Sequence, residues 1–418
     1  MISALGRVGA CFAIHMRHMN LIAAYHRRVV DGLSLTSSEP DAQTPDPSTV
    51  TSADVGAAVL RRMIAGYATN SVSVQLDLGL RYFVGPQASG LIGYQERAGV
   101  AVVMGDPLCA PQDTTDVVSR FLRERPRSRS RALFVSASAQ FVTSASALGC
   151  GAVKVGEEAV FDLDRYSFNG GSMKRLRYHE GRARRSGVEV ENIATAHLPS
   201  HVLAAAVDAV TAAWVTQHAI GPLGFLLALR PLYEPDKEGK RVFVACVDGR
   251  PIAFLTAVPL PAANGVYLED YVRGPEVPDG TAEVLFHEAC RDAQARGYSY
   301  VSLGTAPLAG LTPADSREHP LTGWLLRTAF ERVSWPYDFK SLLAFKARFH
   351  PTRWVPKYLV YERPFTPRFV VALALAYGPV CPRLGSMRRA DRDDARPRRR
   401  PSTSDVTEEA SGARALPC

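Results

Sequence analysis

The sequence has no uninterrupted apolar run of about 18 residues, which is the length that a membrane-spanning helix needs. Its N-terminal segment, Met1–Val30, is partly apolar. However, Arg7, Arg17 and His18 interrupt the apolar stretch, and no clear cleavage site follows. Met1–Val30 is therefore predicted to be a basic, amphipathic surface helix rather than a spanning helix or a secretory signal.

Paired cysteines and metal-binding motifs are also missing. The seven cysteines are scattered, odd in number and never spaced as CxxC. This argues against a disulfide framework or a structural zinc site and favours a reducing cytosol. The chain has no HxH or HExxH, no GxSxG, and no GxxxxGK followed by Ser or Thr. We therefore expect no metal centre, serine-hydrolase nucleophile or P-loop, and no cofactor.

What the chain does have is a globular composition with a basic balance. Of its 418 residues, 46% are hydrophobic and 22% are charged, and the net charge is +8. The length allows two or three domains, and the charge favours polyanionic partners such as tRNA or an anionic membrane. A flexible linker is predicted over Ser34–Ser52, and Arg383–Arg400, with eight arginines, is predicted to be a disordered tail.

The apolar periodicity between these segments changes repeatedly between strand and helix. Antiparallel strands, a helix and another strand are predicted twice in succession, which indicates an α+β fold of two domains. Two local predictions are paired strands over Ser71–Val84 and a helix over Gly323–Val333. The expected division is 1–52 for the N-terminal segment and linker, 53–195 and 196–362 for the two domains, and 363–418 for an apolar helix and Arg-rich tail.

The apolar segment near the C-terminus, Phe365–Val380, has two interpretations. It is either a final helix packed on the core or a helix that lies in the membrane interface beside the Arg-rich tail.

Six cations fall within twelve residues near the middle of the chain, on a predicted helix for which Ser172 is the expected N-cap. These cations form either a solvated helix face or a surface that binds phosphates. They are Lys174, Arg175, Arg177, Arg182, Arg184 and Arg185.

Charged residues also occur next to predicted strands. Glu157 and Glu158 come directly before a strand at Ala159–Leu163, and are either exposed loop acids or include one that faces a pocket. Asp270 and Arg273 lie at the end of a predicted strand, where they form either a structural salt bridge or part of a site.

Five short segments in a fixed order carry a family resemblance: GDP at 105–107, KVGEEA at 154–159, DYVR at 270–273, LGTAPLAGL at 303–311 and FKARF at 345–349. Together they resemble the cytosolic catalytic region of the aminoacyl-phosphatidylglycerol synthases, over residues 56–362. The chain departs from the family pattern in Tyr271-Val272, where Leu-Met is usual, in Gly181, where Asn is usual, and in Arg348, where Lys is usual.

The resemblance implies tandem GNAT-like (N-acetyltransferase-like) domains and transfer of an amino acid from aminoacyl-tRNA to a lipid hydroxyl, most simply that of phosphatidylglycerol. It implies that Glu157 or Glu158 holds the donor's α-ammonium group and that Asp270 is the general base. Lys346, with Arg273, would offset the charge that develops on the attacked carbonyl oxygen. The residues implied to bind tRNA phosphates are Lys174, Arg175, Arg177 and Arg182.

Other functions stay open at this point. The acceptor is a different lipid or a small molecule in one alternative. Another is an acyl-CoA-dependent N-acyltransferase, which predicts RxxGxG/A at a helix start, a pattern that Gly274–Gly280 matches poorly. A third is a basic tRNA- or membrane-binding protein without activity. The expected location is the cytoplasm, with the inner face of the cell membrane as the finer prediction.

Overall fold

The computed structural model describes residues 57–76, 80–124, 130–217, 239–307, 309–311 and 339–377. The N-terminal helix, the linker, the helix over Gly323–Val333 and the Arg-rich tail were predicted for residues outside these ranges. Among the described residues, no helix is both long enough and apolar enough to span a bilayer.

One mixed sheet of 12 strands runs through the described part of the chain. The strands are β1 (Arg81–Val84), β2 (Gly90–Arg97), β3 (Val100–Met104), β4 (Leu108–Cys109), β5 (Arg131–Ala137), β6 (Cys150–Asp162), β7 (Glu189–Ala194), β8 (Arg241–Val247), β9 (Arg250–Leu260), β10 (Gly265–Arg273), β11 (Tyr300–Pro307) and β12 (Arg353–Glu362). Their order in the sheet is β1-β2-β3-β5-β12-β6-β11-β10-β9-β8-β7, with β4 paired to β2. Only the β3/β5 and β10/β11 pairs are parallel among the described strands.

Helices cover both faces of this sheet. They are α1 (Ala57–Tyr67), α2 (Thr114–Glu124), α3 (Ala139–Ala147), α4 (Lys174–Arg185), α5 (Ala204–Gln217), α6 (Thr281–Ala295), α7 (Phe339–Ala347) and α8 (Pro367–Tyr377).

The sheet has two halves that meet where β6 pairs with β11. Strand alternation gives each half an apolar core on both faces, because neighbouring residues point to opposite sides. In the first half, Leu133 packs in a core with α1 and α8, whereas Phe134 packs in a core with α2 and α3. In the second half, α4 and α6 share a core with Phe243, and α5 packs on the other side with Val242. The predicted α+β class is confirmed.

The last described strand, β12, pairs with strands that are distant from it in sequence. β12 pairs with both β5 and β6, so it fills the middle of the first half. β7 pairs with β8 and so belongs to the sheet of the second half. The predicted domain boundary between residues 195 and 196 stays a prediction, since the sheet continues across both halves without a break.

Three local predictions were wrong. Residues Ser71–Gln75 form a 3₁₀ helix instead of a strand, since Ser73 and Val74 are both buried and the alternation marks no single exposed face. Met173 occupies the N-cap position expected for Ser172, and its side chain makes no capping hydrogen bond. Glu157 and Glu158 lie inside β6, because this strand starts at Cys150.

Candidate active site

The site begins where two parallel strands separate. β10 and β11 pair only from Gly265 to Tyr267, and β11 then bulges, with Ser302 opposite Val160 but Thr305 opposite Glu158. The bulge depends on a glycine, because Gly304 has a φ of +71°.

Lys346, near the C-terminal end of α7, binds this bulge. Its Nζ donates hydrogen bonds to the carbonyl oxygens of Gly304, at 3.0 Å, and Thr305, at 2.7 Å. Its exposed fraction is 7%. Burial lowers the pKa of Lys346 to about 7, while the nearby Glu158 acts in the opposite direction. Lys346 is therefore an amine that changes its charge near neutral pH.

Glu158 is the buried anion beside this lysine. Its Oε2 lies 2.6 Å from the Nζ of Lys357, and its Oε1 accepts a hydrogen bond from the Ser302 hydroxyl. Burial alone would raise the pKa of Glu158. Lys357 and the hydroxyl donor outweigh burial, so the net pKa is lowered and the carboxylate is ionised.

A buried polar network connects Lys357 to the bulge. Lys357 Nζ donates to Asn70 Oδ1 at 3.0 Å, and Asn70 Nδ2 donates to the Ser136 carbonyl oxygen at 2.7 Å. The Ser136 and Thr305 hydroxyls lie 3.0 Å apart. The network thus joins β12, the start of the 3₁₀ helix, β5 and β11, so both halves of the sheet build the site.

A second buried acid borders the network. Asp106 lies in the turn after β3, within the GDP segment at 105–107, and its Oδ1 accepts a hydrogen bond from the Ser138 backbone N–H at 2.8 Å. Burial raises the pKa of Asp106, although Ser138 and Lys357 both act to lower it.

Glu157 reaches a different group from its neighbour. Its Oε1 lies 2.8 Å from Lys154 Nζ, which also donates to the Gly310 carbonyl oxygen at 2.6 Å. Glu157 therefore contacts the turn that follows β11, whereas Glu158 lies in the buried network.

Asp270 lies in a bulge of β10. Leu268 is opposite Ala257 and Tyr271 is opposite Leu255, so two residues of β10 face Thr256. The Asp270 backbone N–H donates to Thr256 Oγ1 at 3.0 Å. This contact holds the backbone of Asp270, whose side chain is partly exposed.

The end of β10 carries the predicted Arg273, which is exposed. Burial raises the pKa of the adjacent Tyr271 to about 12, while Arg273 and Arg348 lower it in part. Arg348 lies 3.6 Å from the buried Glu283, and its guanidinium carbon is 4.5 Å from the Phe345 ring centroid. Phe345, next to Lys346 in sequence, stacks on Tyr271. Tyr271 and Phe345 thus link the two segments predicted to carry catalytic residues.

The cations of α4 have different environments. Arg177 donates to the backbone carbonyls of Phe168 and Gly170, and Arg182 pairs with Asp279 at 3.0 Å. Lys174 and Arg175 are exposed, and neither makes an ion pair with another described residue. These two are the predicted phosphate-binding residues that remain open to a ligand on the described surface.

Sequence reasoning missed the residues that connect the site. Lys357, Asn70 and Ser302 contact the predicted residues only through long-range packing, and no local motif marks them. The one available signal was a lysine inside an otherwise apolar strand, where an unpaired charge is costly.

A family model described as phosphatidylglycerol lysyltransferase, C-terminal, matches residues 79–361, about two thirds of the chain. The chain belongs to this family. The family resemblance is therefore confirmed, and the match covers the segments that hold Glu158, Asp270, Lys346 and Lys357.

Curated relatives share the same region. The lysylphosphatidylglycerol biosynthesis bifunctional protein LysX of Mycolicibacterium vanbaalenii is 28% identical over 300 residues, covering 70% of this chain and 26% of that protein. The protein of the same name from Nocardia farcinica is 28% identical over 307 residues, covering 72% of this chain and 26% of that protein. The chain thus spans about a quarter of the length of these relatives.

Solved structures share the fold. The C-terminal domain of an assigned lysylphosphatidylglycerol synthetase from Agrobacterium fabrum has a TM-score of 0.64 at 24% identity, covering 77% of this chain and 96% of that one. L-PGS from Bacillus licheniformis has a TM-score of 0.63 at 22% identity, covering 81% and 99%. The predicted α+β fold is thus shared with these domains, and its division into tandem GNAT-like domains stays a prediction.

Proposed function

We propose that this chain is an aminoacyltransferase that moves an amino acid from aminoacyl-tRNA to a hydroxyl of phosphatidylglycerol. The observation that carries the proposal is Lys346, buried in the β11 bulge of a protein of the phosphatidylglycerol lysyltransferase family. The names of the LysX relatives support a lysylphosphatidylglycerol product.

The reaction exchanges one ester for another. The acceptor hydroxyl oxygen attacks the aminoacyl carbonyl carbon and forms the new C–O bond, and the bond from that carbon to the tRNA ribose oxygen breaks. Asp270 takes the hydroxyl proton and returns it to the ribose oxygen as it leaves. Because the donor ester is already activated, the step needs neither ATP nor a metal.

Lys346 stabilises the negative charge on the carbonyl oxygen during this attack. A protonated lysine has three N–H donors. Two of them are used by Gly304 and Thr305, and no third acceptor bonds the Lys346 ammonium among the described residues. A preorganised donor in a buried site is worth more than the same donor in water. Glu157 in β6 is proposed to hold the donor's α-ammonium group, and Arg273 at the end of β10 is proposed to bind a substrate phosphate. Glu158 has a structural role in the buried network.

The donor side is proposed to lie at α4. Lys174 and Arg175 are exposed cations at the start of this helix, and the aromatic Tyr178 one turn later is exposed as well. Cations attract the phosphates of an RNA, and an aromatic ring gives a surface for stacking.

The acceptor side is proposed to lie at a membrane surface, through the outer face of α8. Val371 and Leu375 are 51% and 47% exposed, and Arg368 is exposed one turn before Val371. Apolar side chains beside a cation fit the interface of an anionic bilayer. α8 packs on the core through Phe369, as the first interpretation of the apolar segment predicts, and the exposed outer face of the same helix supports the second.

An acyl-CoA-dependent reaction is not favoured. Such enzymes would place a pyrophosphate at a helix start like that of α6. A Cβ on Gly280, the N-cap of α6, would lie 1.9 Å from the His179 carbonyl oxygen, so the backbone of α4 occupies this space. The first turn of α6 also holds the buried acid Glu283, which would repel a polyanion.

The test is a transfer assay with purified protein. Radiolabelled aminoacyl-tRNAs and phosphatidylglycerol vesicles are incubated with the enzyme, and lipids are extracted into chloroform. Label is expected in the organic phase with wild type and with R123M, which changes an exposed α2 residue, but not with K346M. If label stays in the aqueous phase with wild type, phosphatidylglycerol is not the acceptor.

A further inference from the structure

Two buried lysines lie next to one carboxylate. Lys357 and Lys346 are 3% and 7% exposed, and Glu158 is 5% exposed. Lys357 contacts the carboxylate directly at 2.6 Å, whereas Lys346 contacts the backbone carbonyls of the adjacent bulge. The Glu158 carboxylate thus lies near two amines, of which Lys357 forms the ion pair and Lys346 does not.

The geometry also couples Glu158 to the position of Lys346. The Ser302 hydroxyl donates to Glu158 Oε1 and accepts the Gly304 backbone N–H at 2.9 Å. The carbonyl of the same Gly304 accepts a hydrogen bond from Lys346. A change at the carboxylate therefore reaches Lys346 through one hydroxyl and the backbone of one glycine.

We propose that Glu158 and Lys357 are positioning residues that together set the charge state of Lys346. Lys357 acts as the counter-ion of Glu158 and keeps this carboxylate from pairing with Lys346. The inference about the charge of Lys346 stands without the proposed function. Only the effect of that charge on catalysis rests on the proposed function.

The charged groups connected to Lys346 come from three other elements. β6 supplies Glu158, which acts on Lys346 directly. β12 supplies Lys357, which acts on Glu158 and also on Asp106 in the turn after β3. Glu158 favours the protonated form of Lys346, whereas burial favours the neutral form. Removing the carboxylate should thus favour neutral Lys346, and removing its counter-ion should favour the protonated form.

The experiment is an NMR titration that does not depend on activity. The chain has seven lysines, so the ¹³Cε resonances of lysine-labelled protein can be assigned by single Lys→Met substitutions. The Lys346 resonance is followed from pH 5 to 11 in wild type and variants. We expect a midpoint about one pH unit lower in E158Q and about one unit higher in K357M, with K357R close to wild type.

The double variant E158Q/K357M shows whether Lys357 acts through Glu158. Its midpoint should match that of E158Q, because the counter-ion has no carboxylate left to neutralise. The double variant also removes both charges of the pair, so it should fold even where a single variant leaves one buried charge unpaired. The Lys346 midpoint of the double variant can then be compared with that of wild type even if a single variant does not fold.

Equal midpoints in wild type and the double variant would overturn the inference, as would an unchanged midpoint in a folded K357M. Shifted midpoints in a protein that transfers no amino acid would instead support the inference and overturn the proposed function. A purely structural role for the pair would change stability and would not move the two midpoints in opposite directions.

Discussion

Lys240 and Glu269 form an ion pair of 3.1 Å in which the side chains are 0% and 1% exposed. Glu269 belongs to the β10 bulge and immediately precedes Asp270, the proposed general base. Lys240 in turn stands directly before β8, and its carbonyl oxygen accepts the Thr195 hydroxyl. The pair therefore connects the bulge at Asp270 to the edge of the second half.

Removing one member of this pair should strongly destabilise the fold. E269Q or K240M removes one charge of a fully buried ion pair, for which we expect a loss of about 3–5 kcal/mol in the free energy of unfolding, measured with urea. K240M/E269L should lose less than either single variant. R120A, which breaks the exposed pair with Asp116, is the control and should lose no more than about 1 kcal/mol. A loss of this small size in E269Q would contradict the interpretation.

The β11 bulge should not tolerate a side chain at Gly304. A Cβ there would lie 2.8 Å from the Tyr267 ring, in addition to the strain of a φ of +71°. G304A is expected to lose more stability than the roughly 1–2 kcal/mol of a left-handed residue alone, together with most transfer activity. Gly99 is the matched control, with a φ of +73° and open space around its Cβ position. G99A should show only the conformational loss and keep activity.

Lys346 should make stability depend on pH. Its ordinary pKa of 10.5 falls to about 7 on folding, so between these values the unfolded chain binds a proton that the folded chain lacks. The free energy of unfolding should therefore rise with pH across this window, by at most about 1.4 kcal/mol per pH unit. The difference between wild type and K346M isolates this contribution from the other titrating groups. If the difference in the free energy of unfolding between wild type and K346M does not change with pH, the pKa of Lys346 is not lowered on folding.

Transfer activity should fall when Lys346 loses its proton. If the ammonium form stabilises the carbonyl oxygen, activity decreases as pH rises through about 7. K346R keeps a positive charge at all these pH values and should remove this decrease, although at a lower maximal rate. Single-turnover rates over pH 5.5–8.5 would measure both profiles. A wild-type rate that instead increases through pH 7 would indicate that the neutral amine is the active form.

Asp270 should be essential for the rate but not for the fold. D270N keeps the size of the side chain and the backbone hydrogen bond to Thr256 but cannot take a proton. We expect turnover to fall about 10²–10⁴-fold with little change in melting temperature. Near-normal turnover in D270N would assign the proton transfer to another group.

The outer face of α8 should bind anionic membranes. V371D/L375D is expected to weaken co-sedimentation with phosphatidylglycerol vesicles, because it replaces two half-exposed apolar side chains by acids. V202D is the control, since Val202 is 87% exposed and precedes α5 in the other half. Equal binding of both variants would exclude α8 as the contact.

Much of this fold could be predicted from local sequence. The repeated order of antiparallel strands, a helix and another strand follows from the changes in apolar periodicity, and strands and helices do alternate in both halves. The strand at Arg81–Val84 was predicted correctly, but Ser71–Gln75 was misjudged because Ser71 and Ser73 are buried together with Val74. β6 was predicted too short, because glycine and charged residues at 154–158 suggested a loop.

The site was predicted in its parts but not in its connections. The motif residues Glu158 and Lys346 do lie in one buried region. Lys357 could not be linked to Glu158, because the two meet only when β12 inserts beside β6, and nothing in either local sequence specifies that pairing. Long-range strand pairing is decided by the packing of the whole sheet.

The position of β12 also determines when this site can exist. β5 and β6 leave a gap that only residues 353–362 fill, so the first half of the sheet stays incomplete on the ribosome until the end of the domain has emerged. Asn70 and Glu158 are both synthesised before their shared partner Lys357. Assembly of the proposed catalytic centre is thus a late step of biosynthesis, and a nascent chain stopped before β12 would present two unpaired strand edges to chaperones and proteases.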